Sequence, residues 1–146
     1  MLAAMDHTRL SCRILVVEDD PDDIFLLRRA FQAAGESTER RIEIRTVPNG
    51  LDAISVLVRQ DLIGELPDVI VLDLNMPVMD GILFLQALRG ELRLADAKVP
   101  TVVLTTSNEH AVHDAARQAG ASAIYVKPHS EAGLTQIASK VVRAYG

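Results

Sequence analysis

The chain has 146 residues, enough for one domain with a core of its own. Apolar residues make up 49 % and charged residues 24 %, and a net charge of −5 speaks against a general binder of nucleic acid or anionic membrane. A single cysteine, Cys12, excludes an internal disulfide framework and a cysteine-rich zinc site.

Residues 1–11 contain Asp6, His7 and Arg9 and no continuous apolar stretch. They read as a flexible segment, not a secretory signal, ahead of a domain over 12–146. No apolar run approaches the ~18 residues of a membrane span, so a cytoplasmic location is expected. Cys12 reads as a small, half-buried filler. Ile14-Leu15-Val16-Val17 is a continuous, β-branched apolar run, the pattern of a strand covered on both faces. Asp20 then suits a helix N-cap, Pro21 the first helical position, and Asp22 and Asp23 the positive end of the helix dipole. This helix is predicted to run to about Ala34, with Gly35 just past its end. Ile42 to Val47 alternates apolar and polar residues, which predicts an edge strand. A second helix covers 50–60.

Val69-Ile70-Val71-Leu72 is the next covered strand, and Asp80 can cap a third helix from Gly81 to about Gly90. Thr101-Val102-Val103-Leu104 precedes a helix from about Glu109 to Ala119, stopped by Gly120. Ala123-Ile124-Tyr125-Val126 precedes the last helix, from about Ser130 to Ala144. Five alternations of strand and helix predict an α/β fold, a doubly wound five-stranded parallel sheet with five helices.

In such a sheet ligands bind beyond the carboxyl ends of the strands. After Val17 come Glu18 and Asp19; after Leu72, Asp73; after Leu104, Thr105; after Val126, Lys127. Three carboxylates brought together repel unless a cation lies among them, and oxygen ligands beside a phosphate suit Mg²⁺. A lysine and a hydroxyl opposite suit phosphoryl oxygens, and Asp73 then serves as a nucleophile. One acid at a strand end is usually a solvated turn or a cap, the reading given to Asp20, Asp22 and Asp23. Four strand ends in agreement are hard to explain that way.

The strings Val16-Val17-Glu18-Asp19-Asp20, Leu72-Asp73-Leu74-Asn75-Met76-Pro77-Val78-Met79-Asp80-Gly81, Leu104-Thr105-Thr106-Ser107 and Val126-Lys127-Pro128 resemble the receiver domain of two-component response regulators. The resemblance covers about Arg13 to Ala144. The runs Asp19 to Leu27 and Val103 to Ser107 resemble the single-domain regulators paired with cyanobacterial phytochromes and bacteriophytochromes. It implies a flavodoxin-like sheet of order 2-1-3-4-5 and no output domain. It further implies that Asp73 accepts a phosphoryl group from a sensor histidine kinase, with self-catalysed phosphorylation and dephosphorylation only. Asp19 and Asp73 would bind Mg²⁺ directly, Glu18 through water, and Asn75 through its carbonyl. Thr105 and Thr106 would form the switch, with Thr105 drawn toward the phosphoryl group. Lys127 would pair with a phosphoryl oxygen, and Lys127-Pro128 would carry a cis peptide bond. Asn75 and Ser107 would set the lifetime of the phosphate. Signalling would pass through phosphorylation-dependent binding of an unknown downstream protein, with no nucleic acid or membrane involved.

In that family an aromatic often lies three residues before the lysine. Here that position is Ile124, and Tyr125 faces the other way. Phe25 is predicted to project from the first helix beside Arg28 and Arg29, away from the stripe Ile24, Leu27, Ala30, Phe31, Ala34, as a docking surface for a kinase or a second subunit in a homodimer. His110 and His113, beside Glu109 and Asp114, read as a solvated face rather than a metal pair, and Met76 and Met79 as apolar loop contacts. His7 and His129 have no evident partner. Leu134, Ile137, Ala138, Val141 and Tyr145 form a core stripe, with Val142 at its edge. The alternative function is an aspartyl-nucleophile phosphohydrolase of the dehalogenase-like type. It wants a proton-transferring Asp two residues after the nucleophile, where Asn75 stands. A dinucleotide site fails because the first loop is Glu-Asp-Asp-Pro with no Gly-x-Gly-x-x-Gly.

Overall fold

The computed structural model describes residues 10–74, 80–90 and 99–146. Among these, strand and helix alternate: β1 (Ser11–Val17), α1 (Pro21–Thr38), β2 (Arg41–Val47), α2 (Gly50–Leu62), β3 (Val69–Asp73), α3 (Gly81–Gly90), β4 (Thr101–Thr105), α4 (His110–Gln118), β5 (Ala123–Val126) and α5 (Glu131–Tyr145). All strand pairings are parallel, and the order is β2-β1-β3-β4-β5. β3 and β4 are buried along their whole length, whereas β2 alternates between exposed and half-buried residues, as an edge strand should. β5 is the other edge, so Ala123, Ile124 and Tyr125 are half-buried and Val126 is exposed, rather than the run being fully covered.

Successive strand residues face opposite sides, which divides the core in two. Leu15, Val17, Ile70, Leu72 and Val103 pack with Ala53 and Leu57 of α2, Phe84 and Leu85 of α3, and Ala116 of α4. Ile14, Val16, Val71, Val102 and Leu104 pack on the other face with Leu27 and Phe31 of α1 and Ala138, Val141 and Val142 of α5. Each fully buried large apolar side chain contributes about 1.5–3 kcal/mol relative to exposure. Val142 is fully buried, so it belongs to the core and not to a dimer face. Cys12, expected half-buried, is fully buried beneath α5 and the C-terminal Gly146.

The helix starts follow their caps. Asp20 accepts from the Asp22 N–H, Asn49 from Asp52, Asp80 from Leu83 and Ser130 from Gly133. The predicted end of α1 was wrong. Gly35 lies inside the helix, which continues to Thr38 and closes at Glu39 with φ 59°. A Cβ on Gly35 would lie 2.5 Å from Ile42 Cγ1, so the glycine is there to let α1 lie against β2, not to stop the helix. Residues 1–9, Asn75, Met76 and Met79 lie outside the described residues, and with them the expectations placed on the N-terminal segment and on those three side chains.

Candidate functional site at the carboxyl edge of the sheet

The parallel register brings the ends of β1, β3, β4 and β5 to one edge. Val17 pairs with Leu72, Asp73 with Leu104, and Thr105 with Val126. Beyond β1 the Glu18 N–H still donates to the Val47 carbonyl (2.9 Å), which extends the ladder by one residue and fixes where its side chain begins. The Lys127 N–H donates to the Thr105 carbonyl (2.7 Å) in the same way at the end of β5. Glu18, Asp73 and Thr105 are buried, and Asp19 is exposed at the rim.

Carboxylate oxygens of Glu18, Asp19 and Asp73 lie within 4.8 Å of one another. Lys127 Nζ reaches over them, 3.7 Å from Glu18 Oε2 and 3.7 Å from Asp73 Oδ1. It is closer still to Asp23 Oδ2, at 3.3 Å. The sequence reading gave Asp23 only to the helix dipole. Its place on the first turn of α1, directly after the strand-end acids Glu18 and Asp19, was the signal for a second position near the crevice.

Burial first, and the Asp73 charge second, push the Glu18 carboxyl up to about 8, against the pull of Lys127 and of the Asp20 backbone N–H. Burial pushes the Lys127 ammonium down, but the charges of Asp73, Glu18 and Asp23 outweigh it and hold its pKa above the ordinary value. One ammonium among these acids leaves an excess of negative charge in a half-enclosed place. These oxygen donors, buried at Glu18 and Asp73 and exposed at Asp19, suit a hard divalent cation such as Mg²⁺.

The remaining predicted site residues surround this cluster. Thr105 Oγ1 accepts from the Ser107 N–H at 3.1 Å, and Thr106 beside it is exposed. Pro128 packs on the first turn of α5, where a Cβ on Gly133 would lie 2.8 Å from its Cβ. Among the described residues no peptide bond is cis, so Lys127–Pro128 is trans, against the isomer the resemblance implied. Trans is the intrinsically favoured form before proline, by about 0.5–1 kcal/mol. Phe25 is 58 % exposed with the Arg29 guanidinium 5.7 Å above its ring centroid, and Arg28 is exposed beside them. His113 does not lie on a fully solvated face; it is half-buried.

The profile of the response regulator receiver domain matches residues 14–139. The chain belongs to this family. Receivers serve two-component signalling, in which sensor histidine kinases phosphorylate them. The receiver is 34 % identical over 142 residues to the transcriptional regulatory protein PrrA of Mycobacterium tuberculosis, covering 97 % of this chain and 54 % of PrrA. The chain spans about half the length of PrrA. Among solved structures it resembles the phosphorylated cyanobacterial phytochrome response regulator RcpA, with a TM-score of 0.77 and 29 % identity over 92 % of this chain and 94 % of that one. It also resembles the receiver domain of the sensor histidine kinase PA1611 of Pseudomonas aeruginosa, solved with a magnesium ion in its active-site cleft (TM-score 0.68, 25 % identity, 89 % of this chain and 96 % of that one). The hydrolase alternative receives no support from these relatives. No helix among the described residues is long and apolar enough to cross a membrane.

Proposed function

We propose that this receiver, as a domain over 12–146, takes a phosphoryl group onto Asp73 from the phosphohistidine of a sensor histidine kinase and signals by phosphorylation-dependent protein–protein interaction. The observation that carries the reading is the convergence of Glu18, Asp19, Asp73 and Lys127 at one edge of the sheet, with carboxylate oxygens within 4.8 Å of one another. An Asp73 carboxylate oxygen attacks phosphorus; the new O–P bond forms as the N–P bond of the phosphohistidine breaks and the imidazole leaves. Lys127 shifts from its carboxylate partners to a phosphoryl oxygen, and the Thr105 hydroxyl donates to another.

A divalent cation bound by Glu18, Asp19, Asp73 and the Asn75 carbonyl would neutralise the carboxylates and stabilise the charge of the transferring group. Mg²⁺ is the natural candidate, as in the PA1611 receiver. Asn75 and Ser107 are the residues that would tune the lifetime of the phosphate. Phe25, Arg28 and Arg29 form the face that docks the kinase, and the likeness to RcpA points to a phytochrome-type kinase as the donor. The chemistry is limited to the receiver's own phosphorylation and dephosphorylation.

Incubation with acetyl phosphate and Mg²⁺, followed by intact-mass spectrometry, tests the reading. One phosphate per chain is expected, lost in Asp73→Asn and without divalent cation. A phosphate adduct that persists in the Asn variant overturns the assignment, and multiple turnover of small phosphate esters would instead favour a hydrolase.

A further inference from the structure

Ser107, in the turn between β4 and α4, has its N–H, its hydroxyl oxygen and its carbonyl all engaged. Its N–H donates to Thr105 Oγ1 at 3.1 Å, and its hydroxyl oxygen accepts from the Glu109 N–H at 3.2 Å. Its carbonyl oxygen lies 2.8 Å from His113 Nε2. A carbonyl only accepts, so Nε2 carries a proton and the imidazole is the donor. His113 is held in turn by the first turn of α4, where its N–H donates to the Glu109 carbonyl at 3.2 Å. The Thr105 hydroxyl, the turn and α4 are thus joined in one chain of hydrogen bonds. Nε2 is engaged there, which also removes it from any metal site shared with His110.

We propose that His113 is a positioning residue: it latches the β4–α4 turn through the Ser107 carbonyl and so opposes the movement of Thr105 toward a phosphoryl group on Asp73. The inference rests on Asp73 being the phosphoacceptor and Thr105 being drawn to the phosphate. Thr105 Oγ1 can move in two ways. Either it leaves the Ser107 N–H, or it carries the turn along and keeps that bond. The second route keeps the bond between Thr105 and Ser107, but it pulls the Ser107 carbonyl away from His113 and gives up the hydrogen bond there. Without the His113 donor the turn is free to follow, and the phosphorylated arrangement becomes easier to reach. One such hydrogen bond changes an equilibrium by about fivefold.

The test compares the full chain with three variants. His113→Leu and His113→Asn remove the donor, one apolar and one too short to reach, so that a folding defect in one leaves the other. His113→Gln offers an amide N–H at similar reach. Two quantities are measured: the exchange rate of the Ser107 amide proton by NMR, and the affinity for beryllofluoride with Mg²⁺ by calorimetry. Both donor-free variants should exchange the Ser107 amide faster and bind beryllofluoride about fivefold more tightly, and His113→Gln should return both values toward wild type. Unchanged or weaker beryllofluoride binding in folded donor-free variants overturns the latch. Wild-type protein that binds no beryllofluoride overturns the phosphoacceptor reading itself. In that case Ser107 exchange in His113→Leu still reports whether the hydrogen bond holds the turn, so the two failures are told apart.

Discussion

Lys127 Nζ lies nearer to Asp23 than to Asp73, at 3.3 Å against 3.7 Å. The ammonium proposed to meet a phosphoryl oxygen is therefore shared with a carboxylate on the first turn of α1. On the proposed phosphorylation of Asp73, Lys127 would have to loosen from Asp23 before it could follow the phosphoryl group. Asp23 is partly exposed, so the pair is screened and worth on the order of 0.2–1 kcal/mol. Asp23→Asn should bind beryllofluoride with Mg²⁺ more tightly, by up to about fivefold, with little change in melting temperature. Lys127→Ala should still bind Mg²⁺, yet lose most of its beryllofluoride affinity. Calorimetric titration checks both. Weaker analogue binding in Asp23→Asn would mean that Asp23 works with the acidic cluster instead of competing for its lysine.

Cys12 gives a pH dependence with a definite sign. Burial first, then the charge of Asp68, raise its thiol from 9.0 to about 11, partly offset by Arg40. The folded state holds its proton to a higher pH than the unfolded chain does. The stability this contributes is complete below about pH 9 and is lost as pH rises toward 11. Urea unfolding between pH 8 and 11 should show a decline that Cys12→Ala reduces. At pH 8 a thiol reagent such as Ellman's should react slowly with the native protein and quickly once urea unfolds it. Rapid native-state labelling would show that the C-terminal end of α5 does not keep Cys12 covered.

Ile124 and Tyr125 fall on opposite faces of the sheet: Ile124 packs against the cluster that contains Val103, and Tyr125 against the cluster that contains Leu104. Tyr125 therefore cannot occupy the space that Ile124 holds on the Thr105 side, and a coupled swing of threonine and aromatic is unavailable to this receiver. In a double-mutant cycle, Thr105→Ala should impair beryllofluoride binding and Ile124→Ala should act separately. The interaction energy should stay below about 0.5 kcal/mol. Strong coupling would restore the aromatic-type switch with isoleucine in its place.

The strand ends were legible because each apolar run stops at a polar residue, and register alone then gathers Glu18, Asp73, Thr105 and Lys127. What sequence spacing left unseen depends on distances between elements. Gly35 looks like a helix stop until Ile42 is found 2.5 Å from where its Cβ would be. Asp23 looks like a dipole-compensating acid until the long Lys127 side chain arrives from β5. His113 looks solvated until the Ser107 carbonyl turns back to meet it. In each case the local rule was sound, and a partner from elsewhere in the chain changed what the residue does.

Phe25 remains the strongest candidate for the docking of a kinase. It is 58 % exposed two residues after Asp23, close to the mouth of the acidic crevice where a phosphohistidine must approach. Arg29 lies 5.7 Å over its ring centroid and reaches 3.8 Å to Glu131 at the start of α5, linking α1 to α5 at the surface. An exposed aromatic rimmed by Arg28 and Arg29 has the composition of an interface hot spot. Loss of such a residue costs upward of about 2 kcal/mol of binding, or more than tenfold in affinity. Phe25→Ala should therefore slow phosphotransfer from a sensor histidine kinase that phosphorylates the wild type by at least about tenfold when the kinase is limiting. Acetyl phosphate needs no protein contact, so its rate of labelling Asp73 should stay the same. Sedimentation of both proteins separates kinase docking from a homodimer face, since only the second changes the oligomeric state. Equal phosphotransfer rates in variant and wild type would remove Phe25 from the docking surface and leave its exposure without a role in the transfer.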